Sequence, residues 1–391
     1  MTAETPIPTK RSPLRFLLKL ALYVLPFAIP FLLLCGFMVY TGESMPLRLV
    51  AQMQLSDQPV LYRPRWGNRD LEFKTLSANL RQPEILAVGS SRVLQFRAQF
   101  FNLQPRAFYN TGAPAWTLDQ VQELTAGLTY TPRILILGID QSWFNEAVET
   151  EPFEPQVSDF AHLFMANRSF MQDLVSGVIG RENFDVGRYL ARIEPGHGGM
   201  ALGLRAIRDG HGFRNDGSEQ FGDFLIAHWL DAATERTRQL EFVEFGKWQY
   251  AFGDTVSAAR MRQLEDFLRW CKERGITVIG FLPSYMPTLH QRITTDGQHN
   301  YLDALDPALA ALFAQYDYPY FDFSDGAALG AADEDFYDGW HASERINLRM
   351  YARIRDALPD LLGVYSDPAY LQAADANAAD TFQVFGDRTM P

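Results

Sequence analysis

The chain has 391 residues, enough for one large domain or two small ones. Hydrophobic residues make up 47% and charged residues 21%, the balance of a globular protein and not of a long disordered one. The formal net charge of -12 would be repelled by phosphate backbones, which argues against nucleic acid as a partner. Of the two cysteines, Cys35 lies in an N-terminal apolar run and Cys271 in a predicted helix. Pairing them would join a membrane segment to a soluble core, so no disulfide is expected and cysteine usage does not reveal the compartment.

The first predicted element is a membrane helix. Leu20–Tyr40 is free of charge for 21 residues, long enough to cross a bilayer core of roughly 30 Å at about 1.5 Å per residue. Lys10, Arg11, Arg15 and Lys19 precede it, and Glu43 and Arg48 follow it. The positive-inside rule then puts residues 1–19 in the cytoplasm and everything after about residue 41 outside. A cleaved signal peptide is the competing reading. Its apolar region is usually roughly 7–15 residues and ends in a small-x-small site, and neither feature fits here. Pro26 and Pro30 would kink the helix, which a membrane helix tolerates.

Residues 41–83, rich in Arg and Pro and without a sustained period, read as a connecting arm. Beyond it an alternating pattern begins. Glu84–Gly89, Ala107–Asn110 and Arg133–Gly138 read as strands, and Thr117–Leu128 as a helix with Thr117 at its N-cap. Residues 150–250 break the rhythm with a glycine-rich stretch, Gly196–Gly222, and read as an insertion near the mouth of the site. Ser257–Arg274 is an amphipathic helix ended by Gly275, and Ile276–Leu282 a strand that stops at Pro283. Leu302–Tyr316 reads as a helix, Tyr318–Phe323 as a strand, and Glu344–Leu358 as a last helix capped by Ser343. Apolar strands alternating with helices predict an α/β domain over 84–362. Its central parallel sheet would have about five strands covered on both faces, a three-layer α/β/α arrangement, with 363–391 as a C-terminal tail.

Three strand ends carry reactive or glycine-rich residues: Gly89-Ser90-Ser91-Arg92, Asn110-Thr111-Gly112 and Gly138-Ile139-Asp140-Gln141. Sites in open parallel sheets form outside the carboxyl ends of the strands. Asp338-Gly339-Trp340-His341 comes just before the last helix. A serine nucleophile needs a base in hydrogen-bond reach and a group that orients the base, and an Asp-x-x-His loop can present both. Blander readings stand beside these. Gly-Ser-Ser is a common turn, Ser91 could only cap a helix, Asp338 could serve as a cap, and His341 could lie on the surface. Arg92 is either salt-bridging or substrate-facing. Trp340 and Tyr285, which follows Pro283-Ser284, are either packing residues or part of the site. His197 and His211 are expected to be solvent-exposed loop histidines with no metal role, and Asp333-Glu334-Asp335 a solvated loop.

These blocks, in this order, resemble the SGNH (GDSL-type) hydrolase superfamily over roughly residues 84–357. The resemblance implies Ser91 as nucleophile and Asp338 and His341 as its catalytic partners. It also implies an oxyanion hole from the backbone N–H groups of Ser91 and Gly112, and no cofactor. Arg92, Asn110, Tyr285 and Trp340 would be candidate substrate contacts. The third block departs from the family pattern. Asp140 stands where an Asn would donate to the oxyanion, and an ionised carboxylate there would oppose the developing charge. Gln141 is the alternative donor, unless Asp140 is kept protonated. The anchor, the Gly-Ser-Ser-Arg block and an Asp in block three look like membrane-anchored SGNH-like proteins that accompany membrane-bound O-acyltransferases. That resemblance implies a bacterial inner-membrane protein with a periplasmic or external domain. It would be an esterase or O-acyltransferase, O-acetyl foremost, acting on a cell-envelope or exported polysaccharide. The alternative is a non-catalytic assembly or glycan-binding subunit that keeps the fold.

Overall fold

In chain order, the first element is α1 (Pro13–Tyr40), a single helix that carries Pro26 and Pro30 without a break. Its segment Leu14–Tyr40 is long and apolar enough to cross a membrane, and only 6% of the most apolar window is buried. The computed structural model describes residues 13–113, 117–148, 157–181, 184–195, 198–222 and 231–385. The end of α1 is part of the folded domain. Met38 is fully buried in a cluster with Leu61, Tyr189, Ala201, Leu204 and Ile207, against which Leu34 and Phe37 also pack. Just beyond, the Glu43 carboxylate accepts hydrogen bonds from the backbone N–H groups of Arg65, Trp66 and Leu204, each at 2.9 Å. Burial pushes this carboxyl up to about 6 despite those donors.

Residues 41–83 are more than the expected arm. They form α2 (Leu47–Met53), β1 (Val60–Tyr62) and α3 (Asp70–Arg81), packed around a core that includes Val50, Tyr62 and Phe73. Sequence periodicity missed them because β1 is three residues long and pairs with strands some 140 residues later. Those partners lie in the insertion: β1 pairs in parallel with β5 (Met200–Leu202) and antiparallel with β6 (Gly212–Phe213), which pairs with β7 (Glu219–Gln220). The arm and the insertion therefore build one small sheet together.

The main sheet is parallel throughout. Its strands β2 (Ile85–Val88), β3 (Phe108–Asn110), β4 (Ile134–Gly138), β8 (Thr277–Leu282) and β9 (Tyr320–Asp322) lie in the order β3-β2-β4-β8-β9. Alternate residues face opposite sides: Ile85, Ala87, Ile136 and Ile279 join one cluster, and Leu86, Val88, Leu135 and Val278 the other. The first face is covered by the helix Glu344–Ala357, through Ile346, Met350 and Ile354. The second is covered by α4 (Leu118–Ala126) and the helices Ala258–Glu273 and Tyr301–Gln315. Thr117 and Ser343 sit at the N-caps where the pattern put them, Ser257 caps the helix it was expected to begin, and Gly275 takes a positive φ of 71° just past that helix. Cys35 and Cys271 are both free thiols. From β2 the chain moves outward to β3, then crosses back to β4 on the other side of β2. In open α/β sheets such a reversal places the crevice outside the carboxyl ends of the strands on either side of it, here β2 and β4.

Candidate active site

Ser91 begins a short 3-10 turn directly after β2, where the Ser90 side chain caps the Arg92 N–H. Glycines let the strand ends close around this turn. A Cβ on Gly138 would lie 2.2 Å from Val93 Cγ1, and one on Gly112 would lie 2.5 Å from Val93 Cγ2. Val93, two residues past Ser91, is thus wedged between the ends of β3 and β4, and the wedge fixes the serine over the crevice.

His341 approaches from the other end of the chain. Its Nε2 lies 2.7 Å from Ser91 Oγ, and its Nδ1 lies 2.8 Å from Asp338 Oδ2. The second carboxylate oxygen, Asp338 Oδ1, accepts the backbone N–H groups of Trp340 and His341 at 2.9 and 2.8 Å. Gly339, with φ 92°, permits that tight turn, and a side chain there would strike Met286 Sδ at 2.8 Å. The imidazole and carboxylate side chains are each 22% exposed, so solvent reaches the pair. Burial raises the Asp338 pKa, but His341 and the two backbone donors outweigh it and hold the carboxyl down at about 2. Burial lowers the His341 pKa, but the Asp338 carboxylate outweighs it and the net shift is upward.

The other predicted site residues have different places. Arg92 is buried and inward: Nη1 donates to Gln141 Oε1 at 2.6 Å, and Nη2 donates to the carbonyls of Pro283 and Ser284 at 2.8 Å. Its guanidinium lies over the rings of Trp340 and Tyr285, at 4.1 and 4.5 Å from their centroids. The three side chains form a clamp behind the serine, each buried. Gln141 is committed to the same clamp: its amide nitrogen donates to Pro283 O and Ser324 Oγ, so it is no free oxyanion donor. Asn110 is fully buried and bonds the carbonyls of Val93 and Phe96, holding the wedge rather than a ligand. Its Oδ1 also accepts the Gly112 N–H at 2.8 Å, so that donor of the expected hole is already engaged.

Asp140 lies at the end of β4 and is 5% exposed. Its Oδ1 has no hydrogen-bond partner, and the nearest Arg92 nitrogen is 3.7 Å away, beyond hydrogen-bond reach. Burial raises its pKa, against the opposing pull of Arg92, the Ser90 hydroxyl and His341. Both groups therefore hold their protons to higher pH than such side chains ordinarily do, Asp140 through burial and His341 through Asp338.

The insertion reaches the site by residues that no sequence signal marked. The Phe221 ring is 5.8 Å from the His341 ring, and Glu219 adds a further upward pull on His341. His211 is not the exposed histidine expected: it is buried against Glu219 at 3.1 Å. His197 lies outside the described residues. Asp216 and Glu344 both bind the buried Arg97, at 3.4 and 2.8 Å, and so tie the insertion to the helix that follows His341. Among the described residues no group of three or more His, Cys, Asp or Glu is placed to hold a metal ion. In comparisons with known proteins, no family model, no curated protein and no solved structure matches this chain.

Proposed function

We propose that the chain is a membrane-anchored, extracytoplasmic serine esterase or O-acyltransferase with a three-layer SGNH-like domain. It would act on acyl esters, acetyl foremost, of a cell-envelope or exported polysaccharide of a bacterium. One observation carries this reading: the continuous hydrogen-bonded line Ser91 Oγ, His341 Nε2, His341 Nδ1, Asp338 Oδ2, at 2.7 and 2.8 Å, at the crevice of a parallel sheet. Those residues are 250 positions apart in the chain, and a cap or a surface histidine needs no such alignment. In the reaction, Ser91 Oγ attacks the ester carbonyl while His341 Nε2 takes its proton. The alcohol leaves with that proton and an acyl-enzyme remains. Water then releases a free acid, or a glycan hydroxyl takes the acyl group. The Ser91 N–H and a neutral Asp140 carboxyl serve as oxyanion donors. An integral-membrane O-acyltransferase is the partner that would supply acyl groups, and the basic flank Lys10–Lys19 supports a cytoplasmic N-terminus.

The test is acyl release from a small activated ester and acyl transfer to a glycan acceptor. Ser91→Ala and His341→Ala should each abolish both, and the double variant should be little worse than either single one, because the residues act as a unit. Full activity in Ser91→Ala ends the nucleophile assignment. A second reading, a glycan-binding or assembly subunit, is favoured by the engaged Gly112 N–H and the buried Asp140. Glycan binding that survives Ser91→Ala, with no turnover by the folded wild type on either substrate, selects it.

A further inference from the structure

Beyond α1, the most apolar exposed surface of the described residues lies on α5 (Asp159–Val175). Phe160, Phe164, Met171 and Val175 recur at i, i+4, i+11 and i+15, which places them in one stripe. They are 76%, 60%, 47% and 84% exposed. A soluble helix of 17 residues does not leave such a stripe in water without cost, because contiguous exposed apolar surface is unfavourable and marks a surface that something covers. The opposite face is bound to the domain. Asp159 pairs with Arg69 at 2.7 Å, Asp173 pairs with Arg65 at 2.9 Å, and Phe170 packs on Trp66 at 6.0 Å.

What covers the stripe follows from its neighbour. The Phe164 ring meets the Phe31 ring of α1 at 6.1 Å, and Asn167 reaches Cys35 at 3.6 Å. Phe31 lies well inside the charge-free run Leu20–Tyr40, roughly 14 Å below its outer end at about 1.5 Å per residue. A bilayer that encloses Phe31 therefore also meets Phe164. Phe160 and Val175, at the two ends of the stripe, stay exposed beside α1 and remain for the surrounding lipid. The charges on α5 suit that position: both acids are paired with arginines, and Arg168 is exposed, long enough to reach the headgroups.

We propose that α5 is a second membrane element, an amphipathic helix seated in the outer leaflet beside α1 with its apolar stripe in the acyl region. This rests on the reading of α1 as a membrane span. Because Met38 and Glu43 also fix the end of α1 to the domain, the pair is a rigid two-point mount that holds the Ser91 crevice at a set height and orientation above the bilayer.

The test uses the full-length protein in phosphatidylcholine/phosphatidylglycerol vesicles, with Cys35→Ser and Cys271→Ala as background. Single cysteines replace Leu22, in α1, or Phe164, Val175 or Asp317 and carry an environment-sensitive fluorophore; lipids with a quencher on the acyl chain are then added. The expected result is strong quenching at Leu22, Phe164 and Val175, with a blue-shifted emission, and none at Asp317. Quenching at Leu22 without quenching at Phe164 and Val175 overturns the second element and leaves the span intact. A stripe shielded from quencher but giving energy transfer between labelled copies means that a second copy covers it, which also overturns the proposal. No quenching at Leu22 removes the span itself, and the proposal with it.

Discussion

Replacing Asp338 with Asn tests the site more sharply than removing it, because the turn dictates which way the amide must point. Asp338 Oδ1 accepts two backbone N–H groups at 2.9 and 2.8 Å. An NH2 group there would face two donors and forfeit both bonds, at about 1–3 kcal/mol for each buried group left unpaired. The amide oxygen therefore takes the Oδ1 place, and the NH2 takes the place of Oδ2, 2.8 Å from His341 Nδ1. It can only donate, so Nδ1 must accept and the ring proton moves to Nε2. Nε2 then donates to Ser91 Oγ across the 2.7 Å contact instead of taking its proton. A tautomer error of this kind typically costs about 10⁴ in kcat, which is about 5 kcal/mol of barrier. The fold should be unaffected, because both turn bonds survive. Since Asp338 holds the imidazole pKa up, its loss should also move the acid limb of the pH–rate profile to lower pH. Single-turnover acylation by an activated ester gives the rate, and nitrogen NMR of the His341 ring gives the tautomer. A folded Asn variant within about tenfold of wild type would refute the assignment of His341 as base.

Other outcomes follow from the same geometry. The wild-type rate should rise with pH as His341 loses its proton, above its ordinary range because Asp338 raises it, and fall as the buried Asp140 ionises beside the oxyanion. Asp140→Asn should abolish the falling limb and raise the alkaline rate, by up to about 100- to 1000-fold, the worth of one oxyanion donor; superimposable profiles would remove Asp140 from the oxyanion site. Arg92→Met leaves Gln141 Oε1 and the Ser284 carbonyl without their donor, and Pro283 O with Gln141 alone, and should lower stability by about 3–5 kcal/mol in urea unfolding. A loss under about 1 kcal/mol would mean that the clamp is incidental. Met38 is wholly buried in the domain core, so the mature protein should keep α1. N-terminal sequencing that begins beyond residue 40 would make α1 a signal peptide, and a reporter fused after residue 50 should be active outside the cytoplasm.

The main-sheet strands, their alternation with helices and three of the helix ends were legible because each is written in a short local window: an apolar run of four to six residues, Thr117 and Ser343 ahead of a helical period, or Gly275 just past one. The Asp-x-x-His loop was legible for the same reason, since a turn of four residues already carries both hydrogen-bonding partners. Orientation was not legible, because it depends on contacts between distant segments. Arg92 and Gln141 follow strand ends as site residues would, yet they turn inward and satisfy one another with the carbonyls of Pro283 and Ser284. Asn110 spends its amide on the Val93 wedge. The small sheet joins Val60–Tyr62 to Met200–Leu202, too short and too far apart for any periodicity to announce. The convergence of Ser91 on His341, the burial of Asp140 at 3.7 Å from Arg92, and the contact of Phe164 with Phe31 were likewise decided only by the tertiary packing, which alone sets which side chains lose water and which meet.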